Sequence, residues 1–561
     1  MAEVRAPGPV LVGCALAVAA AAFWVAFTPA GILRQQLHVA QFWSLEALLI
    51  VAVVTGWAGL RELTARLMIR RADLYAPAGS ALLAGLLVFA GAPETNRIYY
   101  DEQIYQSIGQ NFSDLHLAQM CNEGIVEYGR LQCLQAEYNK QPYGYPHLLS
   151  VGYRLFGVSA RLAHRINGAS AVVLPLVIYL LTLALFSDRR AAAFAALAAA
   201  IIPQQILWSH TAASEPTSAL AAAWAVLALA AFIRLRSGTA LAWLVTAFAY
   251  AVQFRPEMPL LVVPVGAALA LLAPAEIRDR RAWIAGLATL LLCAVAAAHL
   301  VAVRGEGWGT SGDRLSFAFF VPNLRVNGWF YLWDARFPVM LTVLALFGAA
   351  RARSRQAAVI VLWFVAFSTI YLLFYAGSFN YGADIRYSLL TYPPLMVLAG
   401  VGAASLAGWI DRHPLGAGMG ARVVAAGLLA QTLWYLPTMR AVGEEAWAAR
   451  ADVAFAQAMS RTLPRNALVL THNPGMFHLW GINAAQLSLA VAQPGYVRGD
   501  LQRRYAGGIF IHWNFWCNVS DPVQNAFCRD VLASFDTQLI AEYRERHYRY
   551  ALYRIRPPLT P

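Results

Sequence analysis

Runs of about twenty apolar residues recur along this chain, and they restrict its fold more than any other feature. They lie near 9–33, 39–60, 76–93, 169–186, 190–208, 217–233, 239–254, 257–275, 283–303, 337–350, 356–376, 388–410 and 421–438. A bilayer core leaves no water for backbone groups, so such runs must cross it as helices. About thirteen of them specify a mainly α, polytopic membrane protein. Only 13% of the 561 residues are charged. Ordinary soluble domains carry about 25%, so a single water-soluble globule is excluded. The first run is long for a signal-peptide core and lacks a clear small-residue cleavage site, so it reads as a span.

Charge sets the orientation. The chain has 43 basic residues and a net charge of +13, and Lys140 is its one lysine. Sixteen arginines fall in the loops 61–73, 187–190, 234–238, 276–281, 351–355 and 411–422. The positive-inside rule places those loops and the N-terminus in the cytoplasm. The stretches 94–168, 209–216, 304–336, 377–387 and the tail from about 440 then face outward, toward the periplasm of a bacterium. The basic excess is thus mainly an orientation signal, and no nucleic-acid partner is expected. Bacterial inner membrane is the expected location.

Two domains are expected: 1–439 in the membrane, including the first outer loop 94–168, and 440–561 outside it. The tail alternates polar and apolar stretches, with turn signals at Asn473-Pro474-Gly475 and Gln493-Pro494-Gly495, and reads as a small extracytoplasmic α/β domain. Cys121 and Cys133 share the first outer loop, and Cys517 and Cys528 share the tail. Local pairs on an oxidising side read as disulfides. Metal ligation is the alternative, although neither pair has C-x2-C spacing. Cys14 and Cys293 lie in spans and read as inert.

Ionisable groups at membrane depth are costly and tend to mark function. In Tyr100-Asp101-Glu102-Gln103-Ile104-Tyr105, two adjacent carboxylates follow an apolar span. They suit a general base acting on an acceptor hydroxyl, or a helix start where acids favour the dipole. Lys140 sits in Asn139-Lys140-Gln141-Pro142-Tyr143-Gly144-Tyr145-Pro146-His147, a turn stiffened by proline and aromatics, where its ammonium suits a phosphate oxygen. A solvated loop lysine is the alternative. Arg255-Pro256-Glu257 and Tyr381-Gly382-Ala383-Asp384-Ile385-Arg386-Tyr387 occupy further outer junctions. Their arginines suit a lipid phosphate, or simply snorkel to the interface. His210-Thr211-Ala212-Ala213-Ser214-Glu215-Pro216 is a short outer turn in which Ser214 or Thr211 suits a helix cap. Walker, G-x-G-x-x-G, H-E-x-x-H and G-x-S-x-G motifs are missing, so nothing points to a nucleotide-driven engine; a transferase working outside, where nucleotide sugars and ATP are not available, needs a donor carried by lipid.

These segments, in this order over roughly 94–400, resemble the integral-membrane glycosyltransferases of the GT-C fold. The branch is the one that holds protein O-mannosyltransferases and aminoarabinose (lipid A) transferases. Tyr100-Asp101-Glu102 is similar to the first-loop acidic pair, and Lys140-Gln141-Pro142 to a Lys-Pro-Pro stretch. Leu155-Phe156-Gly157 through Arg165, Ser214-Glu215-Pro216, and Arg386-Tyr387 before Pro393-Pro394 continue the likeness. The resemblance implies an inverting transfer from a polyprenyl-phosphate sugar to a hydroxyl acceptor on a glycan, lipid or protein. Asp101 would be the base, with Glu102 supporting it or holding substrate. Lys140, Arg255 and Arg386 would hold the donor phosphate. Tyr100, Tyr105, Tyr143, His147, His210, Glu215 and Tyr387 are the implied substrate contacts. No cofactor is required; a divalent metal at Glu215 is an alternative.

Two other classes use cationic outer loops: a transporter or flippase of lipid-linked sugar, and an O-antigen polymerase or ligase. A transporter is expected to show repeated halves, which this sequence lacks. The Trp-Trp-Asp signature of oligosaccharyltransferases is also missing. His472, His478, His512 and Trp513 in the tail read as fold residues.

Overall fold

The computed structural model describes residues 8–557, apart from 308–311, 335, 353, 380–383, 414–416 and 445–446. Tyr381, Gly382 and Ala383 of the motif ending at Tyr387 therefore lie outside the described residues. All thirteen apolar runs lie on helices. Among the described residues, eight helices are long and apolar enough to cross a membrane, and three shorter apolar helices accompany them.

Proline accounts for the main departures from the expected boundaries. The first run ends at Phe27, and Pro29 precedes one 37-residue helix, Ala30–Arg66. The run 190–208 is cut after Ile201, where Pro203 lacks the N–H needed to continue, leaving Arg189–Ile201 and the short Pro203–Trp208. Small residues let the other helices approach closely. A Cβ on Gly348 or Gly402 would collide with backbone of the facing helix, so Val339–Ala352 and Tyr392–Arg412 meet main chain to main chain.

The arginine-rich loops gather at one end of the bundle. Arg189 pairs with Asp73 at 3.0 Å, Arg190 with Asp411 at 2.8 Å and Arg236 with Glu276 at 3.1 Å. Ser237 donates to Glu62 at 2.9 Å. The half-buried span acid Glu46 is also paired: Arg154 lies 2.7 Å away and His147 Nε2 2.9 Å away.

The soluble part contains one seven-stranded sheet. Its strands are β1 (Met120–Glu127), β2 (Arg130–Glu137), β3 (Leu468–Thr471), β4 (Asn483–Gln486), β5 (Ile509–Trp513), β6 (Thr537–Glu545) and β7 (Tyr548–Ile555). They run in the order β2-β1-β4-β3-β5-β7-β6. The central pairs β3–β4 and β3–β5 are parallel. β1 lies antiparallel to β4, with Glu123 opposite Ala485. A hairpin from the first loop thus completes the tail's sheet, and the division drawn at 439/440 is crossed by hydrogen-bonded strands. The hairpin turns at Tyr128-Gly129, both at positive φ (51° and 75°), the geometry whose twist matches the flanking strands.

Both cysteine pairs form disulfides, Cys121–Cys133 within the hairpin and Cys517–Cys528 within the tail. The one group of potential metal ligands among the described residues is His472 with Cys517 and Cys528. Its sulfurs are bonded to each other and offer no thiolate, which removes the metal alternative there.

Candidate active site

The helix Asp101–Leu115 carries both first-loop acids in its opening turn, where acids complement the dipole. Successive residues on a helix point about 100° apart, so the two carboxylates reach different neighbours. Glu102 is buried. Its Oε1 accepts the backbone N–H of Arg97 (2.8 Å) and Ile98 (3.0 Å), and its Oε2 accepts that of Ala212 (3.2 Å). Burial pushes its carboxyl up to about 7 against the pull of those donors. Glu102 ties the first loop to the 209–216 turn.

Asp101 faces the other way and keeps 24% of its side chain exposed. Its Oδ2 accepts Arg386 Nη2 at 3.1 Å, and its Oδ1 accepts Gln141 Nε2 at 3.4 Å. Burial raises its carboxyl above the usual aspartate range, while Arg386 opposes the rise.

From Asp101 a chain of alternating charges runs inward. Arg386 Nε donates to Glu215 Oε1 at 2.7 Å, and Arg255 Nη1 donates to the same oxygen at 2.5 Å. Arg255 Nε donates to Glu257 at 2.5 Å, and Tyr371 O–H donates to Glu257 at 2.6 Å. Both guanidiniums lie over the ring of Tyr387, at 4.6 Å for Arg386 and 5.3 Å for Arg255. Tyr371 stacks on that ring at 5.2 Å. Charges out of water are tolerated when each has partners of opposite sign, and this chain supplies them. Tyr105, one turn beyond Asp101 on the same helix face, donates to Gln141 at 3.3 Å.

Four elements therefore converge: the first-loop helix, the N-terminus of Glu215–Leu235, the turn at Arg255 and the segment Asp384–Thr391. Asp101, Tyr105, Glu215, Arg255, Arg386 and Tyr387 come together. Lys140 donates to the backbone carbonyl of Gly307 and lies close enough to help lower the Asp101 carboxyl.

The remaining expected contacts sit elsewhere. Tyr143 is in the core, its hydroxyl bonded to backbone of Asn139 at 3.1 Å. His147 holds Glu46, and its burial pushes it down to about 4, which keeps it neutral. His210 donates to the carbonyl of Ala92 at 2.8 Å. Tyr100 packs edge-on against Trp516 of the tail at 6.1 Å.

Sequence reasoning missed Gln141, Glu257 and Tyr371 as members of the cluster. Gln141 and Glu257 lay inside the motifs that drew attention to Lys140 and Arg255. Tyr371 carried no signal, because a tyrosine near a span end reads as an interfacial anchor.

An apolar groove of about 270 Å³ opens between Ala30–Arg66, Gly238–Ala251 and Arg280–Leu292, walled by Leu45, Leu48, Val51, Leu291 and Leu292. Gln253 lines both this groove and a small neighbouring cavity that reaches Arg255 and Pro142.

Comparison with known proteins adds to this picture. Residues 140–299 match the family model described as dolichyl-phosphate-mannose-protein mannosyltransferase. No curated protein sequence matches the chain. Among solved structures, it is similar to ArnT from Cupriavidus metallidurans bound to undecaprenyl phosphate. The TM-score is 0.53 at 16% identity, covering 87% of this chain and 98% of that one. The apo state of the same ArnT gives 0.52 at 17% identity, covering 85% and 97%. Span after span and into the tail, then, the chain has the GT-C fold of integral-membrane glycosyltransferases.

Proposed function

We propose that this chain is an inverting glycosyltransferase. It moves a sugar from a polyprenyl-phosphate donor to a hydroxyl acceptor at the periplasmic face of the bacterial inner membrane. The carrying observation is Asp101, a partly exposed carboxylate linked through Arg386 and Glu215 to Arg255. A proton acceptor and a bank of cations stand side by side, which is what displacement of a phosphate leaving group requires.

The acceptor hydroxyl gives its proton to Asp101. Its oxygen bonds to the anomeric carbon from the face opposite the phosphate. The carbon–oxygen bond to phosphate breaks, and the electron pair stays on the phosphate. Arg255, Arg386 and Lys140 oppose the charge that develops there. Glu215 holds the two arginines in place, and Tyr387 supports them from below. The apolar groove leading through Gln253 toward Arg255 suits the polyprenyl chain, with the phosphate at its head. The raised Asp101 carboxyl favours the role, because a stronger base takes the proton more readily. The acceptor is a glycan, a lipid or a protein, and the arginine-rich end of the bundle faces the cytoplasm.

Purified protein supplied with polyprenyl-phosphate sugar tests the reading. Asp101→Asn is expected to lower turnover by about 10²–10⁴-fold, the usual contribution of a positioned base, with the Tm unchanged. Full turnover in a folded Asp101→Asn protein overturns the role of Asp101. Lys140→Ala is expected to raise the KM for the donor.

A further inference from the structure

The apolar span Arg280–Ala302 carries one histidine, His299, in the last turn of its second helix, Ala294–Ala302. A polar ring in such a span is costly and calls for a task. His299 is buried, and the proposed transfer chemistry does not use it.

The first loop engages both ring nitrogens. Nε2 lies 3.2 Å from the backbone carbonyl of Lys140, and Nδ1 lies 2.8 Å from the Tyr138 hydroxyl. A carbonyl oxygen only accepts, so Nε2 carries the proton of the neutral ring and Nδ1 accepts from Tyr138. Tyr143 packs edge-on against the ring, with centroids 5.2 Å apart. Orientation and tautomer of the imidazole are thereby fixed.

The bonded carbonyl belongs to the peptide that joins Lys140 to Gln141. The N–H of the same peptide donates to Asn139 Oδ1 at 2.9 Å. Both polar groups of this peptide are held, one from a span and one from within the loop. Turning the plane would leave both without partners, which is costly away from water. The side chains on either side of it belong to the site. Lys140 supplies an ammonium assigned to the donor phosphate. Gln141 donates to Asp101 at 3.4 Å and accepts from Tyr105 at 3.3 Å. A rotation of this one peptide would swing both.

We infer that His299 is a positioning residue: it locks the Lys140–Gln141 peptide and so aims the lysine at the donor phosphate. The inference rests on the phosphate role proposed for Lys140.

Binding of undecaprenyl phosphate to the full chain in nanodiscs tests it, through single and double variants and without turnover. Lys140→Ala is expected to weaken binding. His299→Leu is expected to weaken it about tenfold, the effect of one lost buried hydrogen bond. His299→Gln, whose amide N–H has a reach similar to that of Nε2, is expected to restore most of the affinity. In the Lys140→Ala background, His299→Leu is expected to change affinity by no more than about twofold, because the two substitutions remove the same contact. A merely structural histidine would cost the same in both backgrounds. If His299→Leu does not fold, Tyr138→Phe carries the same cycle, with an expected loss of about threefold. Unchanged affinity in Lys140→Ala removes the phosphate reading and this inference with it. A loss in Lys140→Ala overturns this inference alone when the His299→Leu loss is absent, equal in both backgrounds, or not relieved by His299→Gln.

Discussion

Asp101 and Glu102 are neighbours in sequence with opposite fates. Asp101 is partly exposed and paired with a cation, and Glu102 is sealed under three backbone donors. For Asp101 as base, the active form is the carboxylate. The acid limb of the pH–rate profile is therefore expected above the ordinary aspartate range, because burial raises this carboxyl. Steady-state rates from pH 4 to 8 check it, and a limb at the ordinary aspartate value removes Asp101 as the titrating group. Glu102 has a consequence for stability. Its folded value near 7 exceeds the ordinary 4.5, so between those values the folded protein binds more protons than the unfolded chain. Stability from this group is highest at low pH and falls as pH rises from about 4.5 to 7. Glu102→Gln is expected to remove that slope from the Tm-against-pH curve. It is also expected to lower the Tm at pH 5, because an amide offers no second acceptor to the Ala212 N–H. The sequence marked this pair but could not divide the work, since the division depends on which way a helix rolls against the 209–216 turn. It also read Arg255 and Arg386 as waiting for a lipid phosphate. In the fold Glu215, from a distant segment, joins the two, which spacing cannot show.

At the scale of elements, the length of the apolar runs made the membrane helices legible, and proline explains where their breaks departed from those runs. The strands were less so. β3, β5 and β7 lie in the tail's alternating polar and apolar stretches. β1, β2 and β6 were not marked, because hairpin and edge strands with polar faces resemble loops, and β4 was not, because four residues, Asn483–Gln486, are too few to show a pattern. Asn473-Pro474-Gly475, read as a turn, opens the short helix Pro474–His478, since proline is well placed in a first helical turn. That helix presses on the Asp101 helix through a glycine: a Cβ on Gly475 would lie 2.6 Å from Ser107 Cβ. Gly475→Ala is expected to force the two apart, lower the Tm and reduce turnover at least tenfold, although Gly475 touches no member of the ion-pair chain. Turnover and Tm on the same preparation check it. The hairpin disulfide closes a loop with a sequence separation of 12. Replacing both Cys121 and Cys133 by serine is expected to cost about 2–4 kcal/mol, read by denaturant unfolding of the purified chain.

Across the whole molecule, charge asymmetry is the most legible property. The loops grouped by their arginines in the sequence meet through ion pairs at one end of the bundle. What stayed hidden is the union of first loop and tail, because no local pattern announces a partner strand hundreds of residues away. That union predicts that a chain ending at residue 439 keeps Asp101, Glu215, Arg255 and Arg386 yet loses turnover. Its first loop would have β1 without β4, and the Asp101 helix without its support at Gly475. Activity of the truncated chain in nanodiscs, beside the full chain, checks this.

The same sheet sets a clock on biosynthesis. Glu123 pairs with Ala485, 362 positions later. At roughly 5–20 residues per second, the first loop is made about 20–70 s before its partner strand exists. Throughout that interval the spans can insert and assemble. Until β4 has emerged, the segment bearing Asp101 lacks its partner strand, so a chain cut short before that point lacks the clamp.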